Sequence, residues 1–133
     1  MLYYLDTNII VYAVDGASPF QQKARNHIAG LEAAGHGFVV GDLTWTECLV
    51  FPVRTGNGPL LLDYHRFLLG PNLTTVSSTA AIRQRAALIG ATHKYGLADS
   101  LHLATAVEHR LDRFLTNDRQ LAGFPDITVE LLP

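Results

Sequence analysis

The chain contains few of the features that mark secreted or membrane proteins. It has one cysteine, Cys48, so no internal disulfide can form, and we expect a reducing, cytoplasmic environment. No apolar run approaches the roughly 20 residues that a membrane-spanning helix needs. The longest such run, residues 60–69, is interrupted by an aspartate, a histidine and an arginine. The first residues lack the basic segment and apolar core of a signal peptide. We therefore expect neither a disulfide scaffold nor a membrane protein.

The chain also lacks an excess of positive charge. It carries 10 basic and 12 acidic residues, for a net charge of −2, which predicts no general electrostatic attraction to nucleic acid. Four of the acids, Asp6, Glu47, Asp99 and Asp118, form a candidate site, and without them the rest of the chain carries a net charge of +2. A nucleic-acid substrate is therefore not excluded. With 133 residues, of which 48% are hydrophobic, the chain suits one domain, residues 1–133, with a sizeable core.

Short apolar runs alternate with longer helical patterns along the chain. Strands are predicted near residues 2–5, 38–40, 73–76, 113–116 and 127–131, with helices between them. This alternation predicts an α/β fold in which a parallel sheet is covered by helices on both faces. In such a fold, the carboxyl ends of the strands lie along one edge of the sheet, where ligands bind.

The first strand ends in an abrupt polar stretch. The apolar run Tyr3–Leu5 is followed by Asp6, Thr7 and Asn8, and apolar residues then resume. Asp6 is thus predicted at the carboxyl end of a buried strand. Two interpretations stay open for it: an N-cap of the following helix, or a chemical role at the sheet edge. Thr7 and Asn8 can bond nearby backbone and hold the turn.

Three more acids occur in comparable contexts. Glu47 lies early in the helix after the second strand, Asp99 opens the helix before the fourth strand, and Asp118 follows that strand. Each also has an ordinary structural explanation: a capping box from Thr44 to Glu47, a favourable charge in a first helical turn for Asp99, and an N-cap for Asp118. If the four converge, their repulsion requires neutralisation, and hard oxygen ligands with room for water suit Mg²⁺ or Mn²⁺. Such a site can orient water for attack on a phosphodiester.

These stretches together resemble the PIN domain, and most closely the VapC-type toxins of toxin–antitoxin pairs. The resemblance rests on Leu5–Asn8, on Glu47 in the second long helix, on residues 96–99 with the alanine-rich helix that follows, and on Leu115–Asp118. It extends over essentially the whole chain. It implies a parallel sheet of order 3-2-1-4-5 and a metal-dependent endoribonuclease.

The resemblance also implies roles for individual residues. The acidic quartet of the family maps onto Asp6, Glu47, Asp99 and Asp118, with Asp6, Asp99 and Asp118 holding Mg²⁺ or Mn²⁺. Glu47 then ligates the ion or orients water. Asn8 and Thr116 occupy positions that support the acids by hydrogen bonds. The family further implies an RNA substrate, a homodimer and a cognate antitoxin.

One region departs from the family pattern. Pro52 falls in a helix that often runs unbroken in relatives, and we expect it to kink or end that helix before the loop of residues 55–59. The apolar helix of residues 60–69 has too wide an apolar surface for the core alone, which indicates a dimer or antitoxin surface.

Two further residues lie near the candidate acids in the sequence. Arg119, next to Asp118, is the best candidate for a phosphate contact, and His102, one turn from Asp99, is interpreted as a polar core or rim residue. The histidines have no zinc-binding spacing. A phosphate-receiver module is disfavoured, because this chain lacks the aspartate that such a module has after its third strand and the lysine that it has after a late strand. Two alternatives stay open: a PIN nuclease outside toxin–antitoxin systems, and a non-catalytic member of the fold that binds RNA or protein.

Overall fold

The computed structural model describes residues 1–133 as alternating strands and helices. The elements, in chain order, are β1 Leu2–Leu5, α1 Thr7–Asp15, α2 Phe20–Ala33, β2 Gly37–Gly41, α3 Asp42–Thr55, α4 Gly58–Leu68, β3 Leu73–Val76, α5 Ala80–His93, α6 Leu97–Glu108, β4 Arg113–Thr116, a 3₁₀ turn Arg119–Leu121, and β5 Thr128–Leu131. None of the helices is both long and apolar enough to cross a membrane.

The five strands form one sheet in the order β3-β2-β1-β4-β5, and every pair is parallel. The predicted α/β class and strand order are therefore confirmed. β1 lies in the centre, with Tyr3 opposite Phe38 of β2 on one side and Arg113 of β4 on the other. The chain builds outward from β1 first to one side and then to the other. The carboxyl end of β1 is consequently the switch point at which open α/β sheets place their ligands.

Successive residues of the central strands serve opposite faces of the sheet. Tyr3 and Leu5 enter a core with α1 to α4, whereas Tyr4 enters a second core with α5 and α6. The same division separates Leu115 from Phe114 on β4. This follows from the two-residue period of a strand, and it explains why these strands are apolar throughout. Both faces are covered by helices, as predicted.

Pro52 does not end its helix, so that part of the prediction is wrong. α3 continues through Pro52 to Thr55 and ends only at Gly56, whose positive φ of 66° is the left-handed conformation that commonly ends helices. Pro52 costs the helix only the hydrogen bond to the carbonyl of Cys48, because its own carbonyl still accepts from the Asn57 amide at 2.9 Å. It is also buried on the same helix face as Cys48, so its ring contributes to packing.

Candidate active site

Four elements bring acidic side chains to the carboxyl edge of the sheet. Asp6 follows β1, Asp118 follows β4, Glu47 stands in the second turn of α3, and Asp99 lies in the first turn of α6. An open cleft of about 330 Å³ is lined by Asp6, Glu47 and Asp99. Asp118 lies beside this cleft and contributes to the electric potential at Asp99. All four predicted acids therefore gather in one region, three of them on a single cleft.

Asp6 is the buried member of the group, with only 4% of its surface exposed. Its Oδ1 accepts from the Thr7 amide at 2.8 Å, and its Oδ2 accepts from the Thr116 hydroxyl at 2.7 Å. Burial raises the pKa of Asp6 above its ordinary value, although His102 and these hydrogen bonds oppose the shift. Asp6 thus caps α1, as one interpretation held, and also presents a carboxylate to the cleft.

Asn8 and Thr116 join the end of β1 to the end of β4. The Asn8 side-chain amide lies 3.3 Å from both Asp6 Oδ2 and Thr116 Oγ1, and its carbonyl accepts from the Asn117 amide at 3.2 Å. Thr116 Oγ1 also accepts from the Asp118 amide at 3.0 Å. Both residues therefore make the kind of contact predicted for them, and through Thr116 the positions of Asp6 and Asp118 depend on each other.

Asp99 experiences the negative charge of the whole group. Partial burial raises its pKa, and the carboxylates of Asp6, Asp118 and Glu47 raise it further, while His102 lowers it. Asp99 also lies in the first turn of α6, where a negative charge interacts favourably with the helix dipole. The helix dipole does not account for the raised pKa, which comes first from burial and then from acids on other elements.

Glu47 is held by a network that the sequence did not predict. Its Oε1 accepts from the Thr7 hydroxyl at 2.7 Å and lies 2.5 Å from His102 Nε2. Burial acts to raise the pKa of Glu47, but the contact with His102 and the hydrogen bond from Thr7 outweigh it, and the pKa is lowered. The proposed capping box is not formed, because α3 begins at Asp42 after a Gly41 cap, and this places Glu47 beyond the first turn.

His102 and Tyr4 extend this network into the core. His102 is 2% exposed, and its Nδ1 lies 2.5 Å from the Tyr4 hydroxyl, which accepts from the Gly41 amide at 3.0 Å. His102 is indeed a core residue, yet both ring nitrogens are engaged, one of them with a site acid. Two spacings in the sequence could have indicated these neighbours of the acids. His102 follows Asp99 by three residues on a helix, and Tyr4 precedes Asp6 by two residues at the end of a strand.

Arg119 stands at the rim of this region. It is exposed and forms no ion pair. It belongs to the 3₁₀ turn that Asp118 caps by accepting from the Gln120 amide at 2.9 Å. Its guanidinium is consequently free to contact an approaching anion.

The donors at the cleft suit a hard divalent cation. Carboxylate oxygens are the ligands that Mg²⁺ and Mn²⁺ prefer. Burial is the main cause of the raised pKa values of Asp6 and Asp99, neighbouring carboxylates add to it, and a cation would favour the ionised form of both acids. No three acid, histidine or cysteine side chains are grouped closely enough to enclose an ion by themselves. Water would therefore have to complete the coordination of an ion bound by these carboxylates, as is usual for Mg²⁺.

Comparison with known proteins gives a consistent assignment. The sequence model of the PIN domain family matches residues 3–127 of the chain. No curated protein sequence matches the chain significantly.

Solved structures share the fold at low sequence identity. VapBC2 from Rickettsia felis, bound to a DNA fragment of its promoter, is similar over 100% of both chains with a TM-score of 0.80 and 18% identity. A toxin–antitoxin complex from Klebsiella pneumoniae matches over 95% of each chain, with a TM-score of 0.72 and 24% identity. VapC20 from Mycobacterium tuberculosis, described as a sarcin-ricin loop cleaving toxin, covers 95% of this chain and 98% of its own, with a TM-score of 0.72 and 14% identity.

Proposed function

The chain belongs to the PIN domain family, and we propose that it is a metal-dependent endoribonuclease that hydrolyses RNA phosphodiester bonds at the acidic cleft. The observation that carries this proposal is the convergence of Asp6, Glu47 and Asp99 on one open cleft at the switch point of the sheet. The raised pKa values of Asp6 and Asp99 add support, because acids with shifted pKa values in a cleft are typical of functional sites.

In the proposed mechanism, Asp6, Asp99 and Asp118 hold Mg²⁺ or Mn²⁺, partly through water. When bound, such a cation activates water and stabilises charge on the phosphoryl oxygens. Asp6 is kept in place by Thr116, Asn8 and the Thr7 amide, so its carboxylate needs little reorganisation. Glu47, whose pKa is lowered, is ionised at neutral pH and can either ligate the cation or accept a proton from an attacking water.

Substrate contacts come from the rim in this proposal. Arg119 is exposed, unpaired and next to Asp118, so it is positioned to bind an RNA phosphate near the acids. The chain as a whole has a net charge of −2, and most of the affinity for RNA is expected from local contacts and the bound cation.

The proposed biological role is that of the toxin in a toxin–antitoxin pair. Its support is the similarity in fold to VapBC and other toxin–antitoxin structures, together with apolar side chains left exposed on two contacting helices. Val53 of α3 is 65% exposed, and Leu62 and Leu69, in and just after α4, are 49% and 71% exposed. A homodimer and a cognate antitoxin are the proposed partners of these surfaces.

The test is cleavage of an end-labelled, mixed RNA pool by the purified chain, with Mn²⁺, Mg²⁺ or EDTA, beside Asp99→Asn. Asp63→Asn serves as a matched control, because Asp63 is an exposed acid on α4 that does not line the cleft. We expect cleavage that requires metal, is lost in Asp99→Asn and persists in Asp63→Asn. Full activity of Asp99→Asn, or cleavage in EDTA, would contradict the assignment. A protein that binds RNA without cleaving it would favour a non-catalytic member of the fold.

A further inference from the structure

The connection between Glu47 and the core leads to a further inference, which rests on the function proposed above. We propose that His102 is a positioning residue: held by Tyr4, it fixes the Glu47 carboxylate with Oε1 directed to the protein and Oε2 available to the cleft. Glu47 Oε1 receives the hydrogen bonds of both Thr7 and His102, whereas Oε2 makes none. The side chain of Glu47 is 31% exposed, so without these bonds it is free to turn toward solvent.

The Gly41 amide is the starting point for assigning donors and acceptors along this network. The Gly41 amide can only donate, and it donates to the Tyr4 oxygen at 3.0 Å. His102 Nδ1, 2.5 Å away, is the other hydrogen-bond partner of the Tyr4 oxygen, so we assign the Tyr4 hydroxyl as the donor and Nδ1 as the acceptor. A neutral imidazole that accepts at Nδ1 carries its proton on Nε2, the nitrogen that faces Glu47. Tyr4 therefore selects the tautomer of His102 that can donate to the site acid.

The network also joins the elements that carry the acids. Tyr4 shares β1 with Asp6, and His102 shares α6 with Asp99, one helical turn away. Glu47 is the only one of the four on α3. A hydrogen-bonded path from β1 through α6 to Glu47 therefore sets the position of this acid relative to the other two that line the cleft. Partners of this kind commonly orient the ligands of metal sites.

The first measurement is the tautomeric state of His102, from long-range proton–nitrogen correlation NMR of the ¹⁵N-labelled protein. We expect the Nε2–H tautomer in the wild type, and a mixture of tautomers in Tyr4→Phe, which removes only the hydroxyl. An Nδ1–H tautomer, or tautomeric exchange in the wild type, would overturn the proposal. This readout does not depend on metal binding or on catalysis.

The second measurement is Mn²⁺ affinity, determined by calorimetry for His102→Leu, Glu47→Gln and the double variant. Loss of a residue that orients a ligand typically weakens metal binding by about 10–100-fold. We expect His102→Leu to weaken Mn²⁺ binding within that range, and the double variant to be no weaker than Glu47→Gln, because His102 acts through Glu47. His102→Gln, whose amide can donate from about the position of Nε2, should recover most of the affinity.

Controls separate positioning from general damage and from failure of the proposed function. His27 Nε2 lies 2.9 Å from Glu130 Oε2, and this pair does not line the cleft. His27→Leu therefore removes a comparable histidine–carboxylate contact and should leave Mn²⁺ affinity unchanged. Additive losses in the double variant, or wild-type affinity in His102→Leu, would overturn the proposal. If the wild type neither binds Mn²⁺ nor cleaves RNA, the proposed function fails, and the tautomer of His102 and its response to Tyr4→Phe then decide the positioning role alone.

Discussion

Thr116→Val should separate the effect of one hydroxyl from the packing of the residue that bears it. Thr116 is fully buried, and its Oγ1 donates to Asp6 Oδ2 at 2.7 Å while accepting from the Asp118 amide at 3.0 Å and from Asn8 at 3.3 Å. Valine has nearly the same shape and retains the β-branched side chain that suits a strand. The substitution therefore removes the hydrogen bonds and leaves the volume almost unchanged.

The expected loss of stability follows from the kinds of hydrogen bond removed. A hydrogen bond to a charged group contributes about 1.5–3 kcal/mol, and loss of the acceptor for Asp118 adds a smaller amount. We therefore expect Thr116→Val to lower the free energy of unfolding by roughly 2–4 kcal/mol at pH 7. Thr116→Ser retains the hydroxyl and loses one buried methyl group, which costs about 1 kcal/mol.

Urea unfolding followed by circular dichroism measures both variants. With a slope of roughly 1–3 kcal/mol per molar urea, the loss expected for Thr116→Val moves the midpoint by about 1 M or more. The difference from wild type should shrink as the pH falls through the raised pKa of Asp6, because the hydroxyl then faces a neutral acid. Equal stability of the valine and serine variants would refute the role assigned to the hydroxyl.

Three further predictions concern the acids, the rim and the exposed apolar surface. Burial and neighbouring acids raise the pKa of Asp99, so the stability of the wild type should fall as the pH rises through that pKa. Asp99→Asn should therefore have a higher melting temperature than the wild type at pH 7 but not at pH 3. A lower melting temperature of the variant at pH 7 would contradict this. Arg119→Ala should raise the KM for RNA with little change in kcat, and reduce the salt slope of RNA binding by about 1, whereas Arg83→Ala, on an exposed position of α5, should change neither. Val53→Lys should shift a dimer toward monomer in light scattering without lowering the melting temperature, because Val53 is 65% exposed; an unchanged dimer would place the interface elsewhere.

The sequence predicted the features that depend on local pattern and on strand topology. Asp6 follows one apolar strand, and Asp118 follows another. Because these two strands are adjacent and parallel, both acids lie at the same edge of the sheet. The PIN resemblance supplied the strand order and the identity of the four acids as a group. The fold is confirmed, whereas the catalytic and metal-binding roles of the acids stay predictions.

The remaining features depend on contacts between distant elements. The T-x-x-E spacing favoured a capping box with Thr44 as the N-cap, but α3 starts three residues earlier, after a Gly41 cap, and Thr44 is buried within the helix. The pairing of His102 with Tyr4 and Glu47 requires the rotation of α6 about its axis, which spacing alone does not fix. Pro52 was expected to kink or end α3, but the helix continues to Thr55 with Pro52 buried on the same face as Cys48.

The most direct test of the account compares Mn²⁺ binding with Mn²⁺-dependent cleavage in the same sample. Binding is measured by the loss of the free Mn²⁺ signal in electron paramagnetic resonance, and cleavage by single-turnover kinetics on an RNA selected from the pool. If the acidic cleft is the catalytic site, both titrations should have the same midpoint, and Asp99→Asn should abolish both. Cleavage that saturates independently of Mn²⁺ binding, or that continues in EDTA, would contradict the central claim.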